Sequence, residues 1–345
     1  MDALLPRLPS EAEIAAHVPG IEPVRASEQR PFWSIMLPSY DCDGYLARAL
    51  ASVLAQDEGA AAMQIEVIDD GSTRGDPEAL ASRLGGARVG FQRHPRNLGA
   101  TETFNTCLRR ARGRWVHILH ADDEVLPGFY AAYRRVIESR DDLAMVIGPV
   151  TSIDEHGERG RVLGPDPPAD GCVLADFSHQ QATRQLVQFA GWVMRREALE
   201  RGGGFCTLFH HCADWELAFR IGLHGTVGCV PQAYGLYRMH SASDTRRLMR
   251  TGENIREATL AIRLNLRRLA QENRGVSDRS WRSRLARAAG DSARALAAEG
   301  SSEGRLAQAR WAFVLRPTLR RALSFARAWF SHALAAPRAR VAPRA

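Results

Sequence analysis

The stretch that decides the fold is RWVHILHADDEVLPGF, residues 114–129. Its first half alternates and then runs apolar, which predicts a buried strand ending at His120. Two carboxylates, Asp122 and Asp123, follow directly. Open α/β sheets bind ligands beyond the carboxyl ends of their strands, and two hard oxygen donors suit a divalent cation that carries a phosphorylated substrate. The alternative is a solvated turn whose aspartate caps a helix starting near Pro127.

The composition is that of an ordinary globular protein. With 345 residues, 45% apolar and 25% charged, the chain is long enough for a large domain with an appendage. It contains no lysine, so its 46 basic residues are all arginine. Such a bias is typical of a GC-rich coding sequence, and no arginine-and-aromatic stripe of the single-strand-binding kind accompanies it. We therefore expect no nucleic-acid partner.

The cysteines, the N-terminus and the lengths of the apolar runs indicate the cellular compartment in which the protein is expected. The six cysteines lack zinc-like spacing, which favours reduced thiols. No signal-peptide core opens the chain and no run of 18 apolar residues interrupts it, so we expect a cytoplasmic protein. Residues 1–30 are rich in Pro, Glu and Ala, and predict a tail or a short packed arm.

From residue 32 to 148 the pattern alternates between strands and helices, which predicts a doubly wound, mainly parallel sheet flanked by helices. The predicted strands are FWSIMLP, MQIEVID, ARVGFQRH, the opening stretch and LAMVIGPV. Right-handed crossovers bring the ends of the first four strands to one edge. The side chains expected at this edge are Tyr40, Asp70, Asn97, His120, Asp122 and Asp123.

After residue 150 the pattern is less regular. SIDEHGERGR predicts turns, GPDPPADG a loop, and QQATRQLVQF a helix. Asp214 is expected in the first turn of the helix HHCADWELAFRIGLHG, where capping is one explanation for a carboxylate. TVGCVP and AYGLYRMH predict two last strands. The domain therefore spans 31–248, with halves 31–150 and 151–248.

Residues 249–345 predict a separate α-helical appendage. Its last stretch, PTLRRALSFARAWFSHAL, mixes large apolar side chains with arginines. This composition suits peripheral contact with an anionic membrane surface. The alternative is a helix that packs its apolar side on the preceding domain.

Six short motifs in order resemble the family 2 glycosyltransferases, which have the GT-A fold. They are PSY at 38–40, IDDGS at 68–72, RNLG at 96–99, HADD at 120–123, GGF at 203–205 and ADWEL at 213–217. The resemblance covers residues 32–245. It implies a GT-A donor half at 31–150, an acceptor half at 151–248, and transfer of a sugar from a nucleotide diphosphate donor, usually with inversion and with Mg²⁺ or Mn²⁺.

The resemblance implies a donor site at the sheet edge. Pro38 lies in the first motif, and the ring of Tyr40 suits stacking on the nucleotide base. Asp70 can accept a hydrogen bond from the base. We expect Asn97 and Asn105 to shape the pocket, although helix capping explains them nearly as well. For Tyr40 and Asp70 the alternatives are a rim position and a loop cap.

The resemblance also implies the groups nearest the chemistry. Asp122 matches the last acid of the DxD signature, whereas His120 replaces the first, which mildly favours Mn²⁺. The metal ligands expected are Asp122, Asp123 and His240, while His120, Asp122 and Arg238 are expected against the nucleotide. Asp214 matches the catalytic base, although Ala213 replaces the glutamate that usually precedes it. Trp192 is a candidate wall for the acceptor.

The sequence thus predicts a metal-dependent, inverting glycosyltransferase. Its donor would be a UDP, GDP or dTDP sugar, and its acceptor a hydroxyl of a saccharide, a lipid-linked saccharide or a protein. Because His120 and Ala213 depart from the family pattern, a nucleotide-sugar-binding module without turnover is the main alternative. A nucleotidyltransferase is disfavoured, because no glycine-rich basic loop follows the first strand.

Overall fold

The structure, a computed structural model, describes residues 4–25, 30–166, 173–240, 243–272 and 280–335. The chain divides into two compact units, Pro9–His240 and Met1–Leu8 with Ser241–Ala345. The division falls at residue 240 rather than at the predicted 248, because a helix over Asp244–Thr251 belongs to the second unit. The arm predicted over 1–30 is shared between the two units.

The first unit is built on two sheets. Its strands are β1 Trp33–Ser39, β2 Met63–Asp69, β3 Gly90–Arg93, β4 Trp115–Ile118, β5 Glu124–Val125, β6 Leu143–Ile147, β7 Val150–Ile153, β8 Arg159–Leu163, β9 Trp192–Arg195, β10 Thr226–Cys229 and β11 Gly235–Arg238. Its helices are α1 Glu11–His17, α2 Asp43–Leu54, α3 Pro77–Gly85, α4 Ala100–Arg110, α5 Phe129–Glu138, α6 Phe177–Thr183, α7 Arg196–Gly202 and α8 Ala213–Ile221.

The larger sheet has the order β10-β6-β9-β4-β1-β2-β3. Strands β1, β2, β3 and β4 are parallel, and β9 pairs antiparallel with both β4 and β6. The prediction of a mainly parallel sheet flanked by helices is therefore confirmed. Every residue of β1 is buried, as expected for a central strand covered on both faces. Leu46, Leu50 and Val53 of α2 pack into this core.

The smaller sheet, in the order β5-β11-β7-β8, contains one element that the sequence did not indicate. Residues 152–161 were predicted to form turns, but they form most of the hairpin β7–β8. Strand β8 reads RGRVL and is largely exposed, so it carries no buried alternation to mark it as a strand. The loop predicted at 164–171 lies only in part within the described residues, which stop at 166.

Two predicted helices have different bounds in the structure. The helix predicted to end at Gly113 ends at Arg110, because residues 111–113 turn to meet β1. The approach is close, since a Cβ on Gly113 would lie 2.6 Å from the amide nitrogen of Ser34. The helix predicted within QQATRQLVQF is α6, which starts earlier, at Phe177, and ends at Thr183.

The residues before β1 form a packed arm. Ser10 and Glu13 make a capping box at the start of α1. Beyond this helix, the carbonyl oxygens of His17 and Pro19 accept hydrogen bonds from the amides of Thr207 and Gly204. The GGF motif lies between this arm and α4. A Cβ on Gly204 would lie 2.5 Å from Oδ1 of Asn105 in α4, which explains the glycine there.

The second unit contains α9 Asp244–Thr251, α10 Glu253–Gln271, α11 Trp281–Ala298, α12 Ser302–Leu315 and α13 Leu319–Ala335. The predicted helical appendage is confirmed over its described residues. Ser243 caps α9 and Ser301 caps α12 through their side chains. Among the described helices of either unit, none has the length and apolar character needed to cross a bilayer.

Candidate functional site

The acid loop, residues 120–123, lies at the carboxyl end of β4. Strand β4 ends at Ile118, two residues before the predicted end, but the chain continues along β1. The amides of Leu119 and Ala121 donate to the carbonyl oxygens of Met36 and Pro38, at 3.0 and 3.2 Å. The backbone of the central strand therefore positions the loop.

Three side chains of the acid loop form a possible metal site. His120, Asp122 and Asp123 each offer a ligand atom, and these atoms lie within 4.8 Å of one another. Within the described residues, no other group of three or more such side chains converges in this way. The sequence assigned His120 to the nucleotide and His240 to the metal, whereas here His120 belongs to the cluster itself.

His120 is held by aromatic rings. Its imidazole stacks on Phe104 and Phe189, with ring centroids 4.9 and 4.1 Å away. Its Nε2 is buried and has no hydrogen-bond partner among the described residues. Burial lowers the pKa of His120, and the charge of Asp122 opposes this effect only in part. A neutral imidazole with an unsatisfied nitrogen is suited to bind a metal ion.

Asp122 links the acid loop to His240, two residues beyond the end of β11. Its Oδ2 lies 3.1 Å from Nε2 of His240. Burial would raise the pKa of Asp122, but the hydrogen bond from His240 and the charges of His120 and His240 outweigh it and lower the pKa. Asp122 is thus held as a carboxylate, and the predicted neighbourhood of Asp122 and His240 is present.

Asp123, the third member of the cluster, is fully buried. Its Oδ1 accepts the backbone N–H of Arg238 at 2.8 Å, while Oδ2 has no partner among the described residues. Burial, followed by the charge of Asp122, raises the pKa of Asp123 well above its ordinary value. A buried carboxylate oxygen without a donor fits a cation site, because a nearby positive charge would offset the cost of its burial.

Arg238 lies behind the acid loop rather than facing the nucleotide edge. Its guanidinium is completely buried. Nε donates to the carbonyl oxygen of Asp122 at 2.8 Å, Nη1 donates to that of Asp154 at 2.7 Å, and Nη2 pairs with the carboxylate of Glu124. With its donors directed at the protein, Arg238 is placed to hold the loop in shape, so the structure does not favour the predicted contact with a diphosphate.

The other strand ends lie at the same edge. Pro38 is buried within β1, and Tyr40 follows with 44% of its surface exposed. The carboxylate of the next residue, Asp41, accepts the amides of Thr73 and Arg74, at 2.8 and 3.0 Å. The loop after β1 is therefore tied to the loop after β2, and it leaves the ring of Tyr40 open to solvent.

Asp70 has a structural task in this arrangement. Its carboxylate accepts the amides of Leu98 and Gly99, and Nδ1 of His94 lies 2.9 Å away. These contacts order the loop containing Asn97, whose own Oδ1 also accepts the amide of Gly99. Asn97 is exposed at the edge, whereas the carboxylate of Asp70 is already engaged and reaches a base only if these bonds rearrange.

Asp214 lies in the first turn of α8, as predicted. Its Oδ1 accepts the amide of Trp215 at 2.7 Å, but the N-cap of α8 is Cys212, so Asp214 is a first-turn carboxylate rather than the helix cap. Its Oδ2 accepts a hydrogen bond of 2.7 Å from Nε2 of Gln185. The amide of Gln181 donates to Oε1 of Gln185, so the Gln185 nitrogen must face the carboxylate. Asp214 is therefore a positioned carboxylate in the first turn of the helix.

Two predicted side chains lie in the core. Trp192 is fully buried in β9 with its ring edge-on to Phe189, so it presents no surface to an acceptor. Asn105 is also buried, and its side chain bonds both the N–H and the carbonyl oxygen of Phe205. Its role is to join α4 to the GGF segment.

Several residues at the site were not predicted. Tyr45 in α2 lies between Arg238 and His240, 4.8 Å from the guanidinium carbon and 5.4 Å from the imidazole centroid. The rings of Phe104 and Phe189 stack on His120, and the side-chain amide of Gln185 donates a hydrogen bond to Asp214. The sequence contains a weak indication that Tyr45 lies near the site, since it is in the first turn of the helix after the first strand. The others belong to segments that meet the site only in the folded chain.

Comparison with known proteins identifies the domain. Residues 34–203 match the family model described as Glycosyl transferase family 2. The matched segment, just under half of the chain, belongs to this family. The match contains β1 to β4, the acid loop and the start of the GGF motif, so the resemblance read from the sequence is confirmed and the protein is a glycosyltransferase.

Relatives agree with this membership. The chain is 28% identical over 242 residues to Uncharacterized protein MT1568 of Mycobacterium tuberculosis, covering 67% of this chain and 75% of that protein. It is 33% identical over 138 residues to Succinoglycan biosynthesis protein ExoO of Rhizobium meliloti, covering 40% of this chain and 38% of that protein. The second similarity is therefore local.

A solved structure shows the same fold. S. aureus TarS 1–349, crystallised with UDP-GlcNAc, aligns with a TM-score of 0.54 and 14% identity, covering 88% of this chain and 91% of TarS 1–349. At this identity the likeness establishes the fold alone. Together with the family match, it confirms the GT-A fold expected from the motifs.

Proposed function

We propose that this glycosyltransferase is metal-dependent and inverting, and that it moves a sugar from a nucleotide diphosphate donor to a hydroxyl acceptor. The observation that carries the proposal is the convergence of His120, Asp122 and Asp123 within 4.8 Å at the carboxyl edge of a parallel sheet. Open α/β sheets bind nucleotides at such edges. TarS was crystallised with UDP-GlcNAc, which supports a nucleotide sugar as the donor class.

The donor half would hold the nucleotide. Tyr40 offers an exposed ring for stacking on the base, and Asn97 offers an exposed amide. Stacking of a base on an aromatic ring contributes about 1–3 kcal/mol of binding free energy. Pro38 and Asp70 would act indirectly at this edge. The carbonyl oxygen of Pro38 accepts a hydrogen bond from the acid loop, and Asp70 orders the loop that contains Asn97.

The acid loop would hold Mn²⁺ or Mg²⁺. The unsatisfied Nε2 of His120 and Oδ2 of Asp123 fit a cation, and the pKa of Asp122 is lowered so that it stays charged. An imidazole ligand favours Mn²⁺ over Mg²⁺. When bound, the cation would neutralise the negative charge that gathers on the departing diphosphate. His240 orients Asp122, and Arg238 keeps the loop in the shape that brings its side chains together.

Asp214 would be the general base. A direct displacement with inversion needs a group that accepts the proton of the attacking hydroxyl, and a carboxylate serves this purpose. Gln185 would fix the direction of this carboxylate, because its side-chain amide donates a hydrogen bond to Oδ2. The relative named for succinoglycan biosynthesis supports a saccharide, free or lipid-linked, as the acceptor. A protein hydroxyl is the remaining acceptor class.

A thermal-shift panel tests the donor and the metal together. The full chain is heated with UDP, GDP and dTDP sugars, each with Mn²⁺, Mg²⁺ or a chelator. A true donor at about 100 times its Kd stabilises the folded state by about 2.7 kcal/mol. We expect one base to raise the melting temperature strongly, and only with a divalent cation.

Turnover separates the enzyme from a binding module. The donor found in the panel is incubated with the protein and Mn²⁺, and release of nucleoside diphosphate is followed. Slow release that a chelator abolishes supports the proposal. Tight binding with no release would identify a module that kept the fold without the reaction, and release of pyrophosphate from a nucleoside triphosphate would point to a nucleotidyltransferase.

A further inference from the structure

The last described helix, α13, has one face packed within its own unit. Phe325 stacks on Phe313 of α12 at 6.2 Å, and Ala328 joins a small cluster with Ala293 and Ala309. Nδ1 of His332 lies 3.2 Å from the hydroxyl of Ser302. Of the residues of α13, only Ala328 is fully buried. The helix therefore buries little apolar surface on this side.

The opposite face of α13 is apolar and exposed. Leu319, Leu323, Phe330 and Leu334 have between 51% and 84% of their surfaces exposed. At 3.6 residues per turn these positions fall within about 60° of one another around the helix axis. Trp329, on the flank of this stripe, is 53% exposed. We call these five residues the apolar stripe. Contiguous exposed apolar surface of this kind marks an interaction site.

The charge around the apolar stripe has a single sign. Arg320 and Arg327 lie along its other flank, and the sequence contains no acid after Glu303. Within the described residues, neither arginine forms an ion pair. Partial burial, together with the charges of Arg316, Arg287 and Arg320, lowers the pKa of Arg321, so the positive charges are crowded. A covering surface should therefore supply negative charge.

We propose that α13 is a membrane-surface helix that docks on anionic lipid, with its apolar stripe in the acyl boundary and its arginines at the headgroups. An amphipathic helix with large apolar side chains and a basic flank has the composition that lies in this interface. Trp329 at the flank suits the headgroup level. A second copy of the chain would bring the same uncompensated positive charge to the contact, which disfavours self-association.

Vesicle binding tests this assignment directly. The full chain is sedimented with vesicles of phosphatidylcholine alone, and with vesicles of phosphatidylcholine and phosphatidylglycerol in equal parts. We expect binding to the anionic vesicles, weakening as salt is added, and little binding to the neutral ones. In the double variant Leu323→Ser with Phe330→Ser, the partition coefficient should fall about tenfold or more.

Two further variants complete the test. Val162→Ser removes an apolar side chain that is 63% exposed in β8, and should leave vesicle binding unchanged. Arg320→Gln with Arg327→Gln should reduce the preference for anionic vesicles about 30-fold, since each such arginine contributes about 1 kcal/mol. Since no sugar donor enters the measurement, its result is independent of the proposed function.

Three results would overturn the assignment. One is absence of binding to the anionic vesicles, and another is binding that the double serine variant retains. A third is a concentration-dependent dimer, without lipid, that the double serine variant dissociates, because the stripe would then be covered by a second copy. Unchanged helicity and melting temperature of the double variant exclude misfolding as the cause of lost binding. A lowered melting temperature with vesicle binding retained would show a stripe that is covered within the chain.

Discussion

The acid loop and the start of α8 carry the two halves of the proposed chemistry, but they are held in different ways. The acid loop is bonded through its backbone to β1, and Arg238 ties it to β5 and to the end of β7. Asp214 accepts hydrogen bonds from the side chain of Gln185 and from an amide of its own helix turn. The proposed metal side is thus built into the sheet, whereas the proposed base lies in a helix turn and is bonded by a side chain from another segment.

Asp122→Ala should have the largest effect. It removes a charged ligand of the proposed metal site, and the loss of charge neutralisation should lower turnover by about four orders of magnitude. The measurement is Mn²⁺-dependent release of nucleoside diphosphate. Asp141→Ala, at an exposed acid of the same unit, is the matched control and should keep full activity. If Asp122→Ala retains a tenth of the activity, the acid loop is not the metal site.

Asp214→Asn should come next. It keeps the shape of the side chain but removes its basicity, so turnover should fall by about two to four orders of magnitude while donor affinity is preserved. Single-turnover rates and nucleotide titrations separate these quantities, and Asp141→Asn serves as the control. A variant with near-normal turnover would remove Asp214 from the mechanism and leave stabilisation of the first turn of α8 as its role.

Arg238→Met tests whether the loop depends on its support. It removes the buried guanidinium, so the free energy of unfolding should fall by about 2 kcal/mol and Mn²⁺ affinity about 10- to 100-fold. Thermal unfolding and metal titration measure the two effects. Arg140→Met removes a surface pair with Asp142 and should change stability by less than about 1 kcal/mol. Unchanged stability with weakened nucleotide binding would instead support the predicted contact between Arg238 and the diphosphate.

Gln185→Met should have the smallest effect and the most selective one. It removes the donor to Asp214 at nearly constant volume, so turnover should fall about tenfold through misdirection of the base, with the KM for the donor sugar unchanged. Gln180→Met, an exposed glutamine of α6, is the control. If KM changes and turnover does not, Gln185 contacts the donor rather than positioning the base.

The acid loop and the start of α8 differ in how much of each could be predicted from the sequence. Asp122 and Asp123 were predictable because they follow an apolar strand, and parallel strands bring their carboxyl ends to one edge. Asp214 was predictable through its motif alone. Gln185 was not, because α6 and α8 are distant in the chain and only their packing brings its amide to the carboxylate. The hairpin β7–β8 was not predicted for a different reason, since its exposed edge strand β8 has no buried alternation.

The sequence by itself determined the alternation of strands and helices, the family and the edge at which the acids gather, because these depend on local apolar periodicity and on the order of short motifs. Only the tertiary structure decided what each polar group faces. It packed His120 against Phe104 and Phe189, directed Arg238 into the protein and placed Trp192 in the core. The orientation of a side chain is set by neighbours that are distant in sequence, and no local pattern records them.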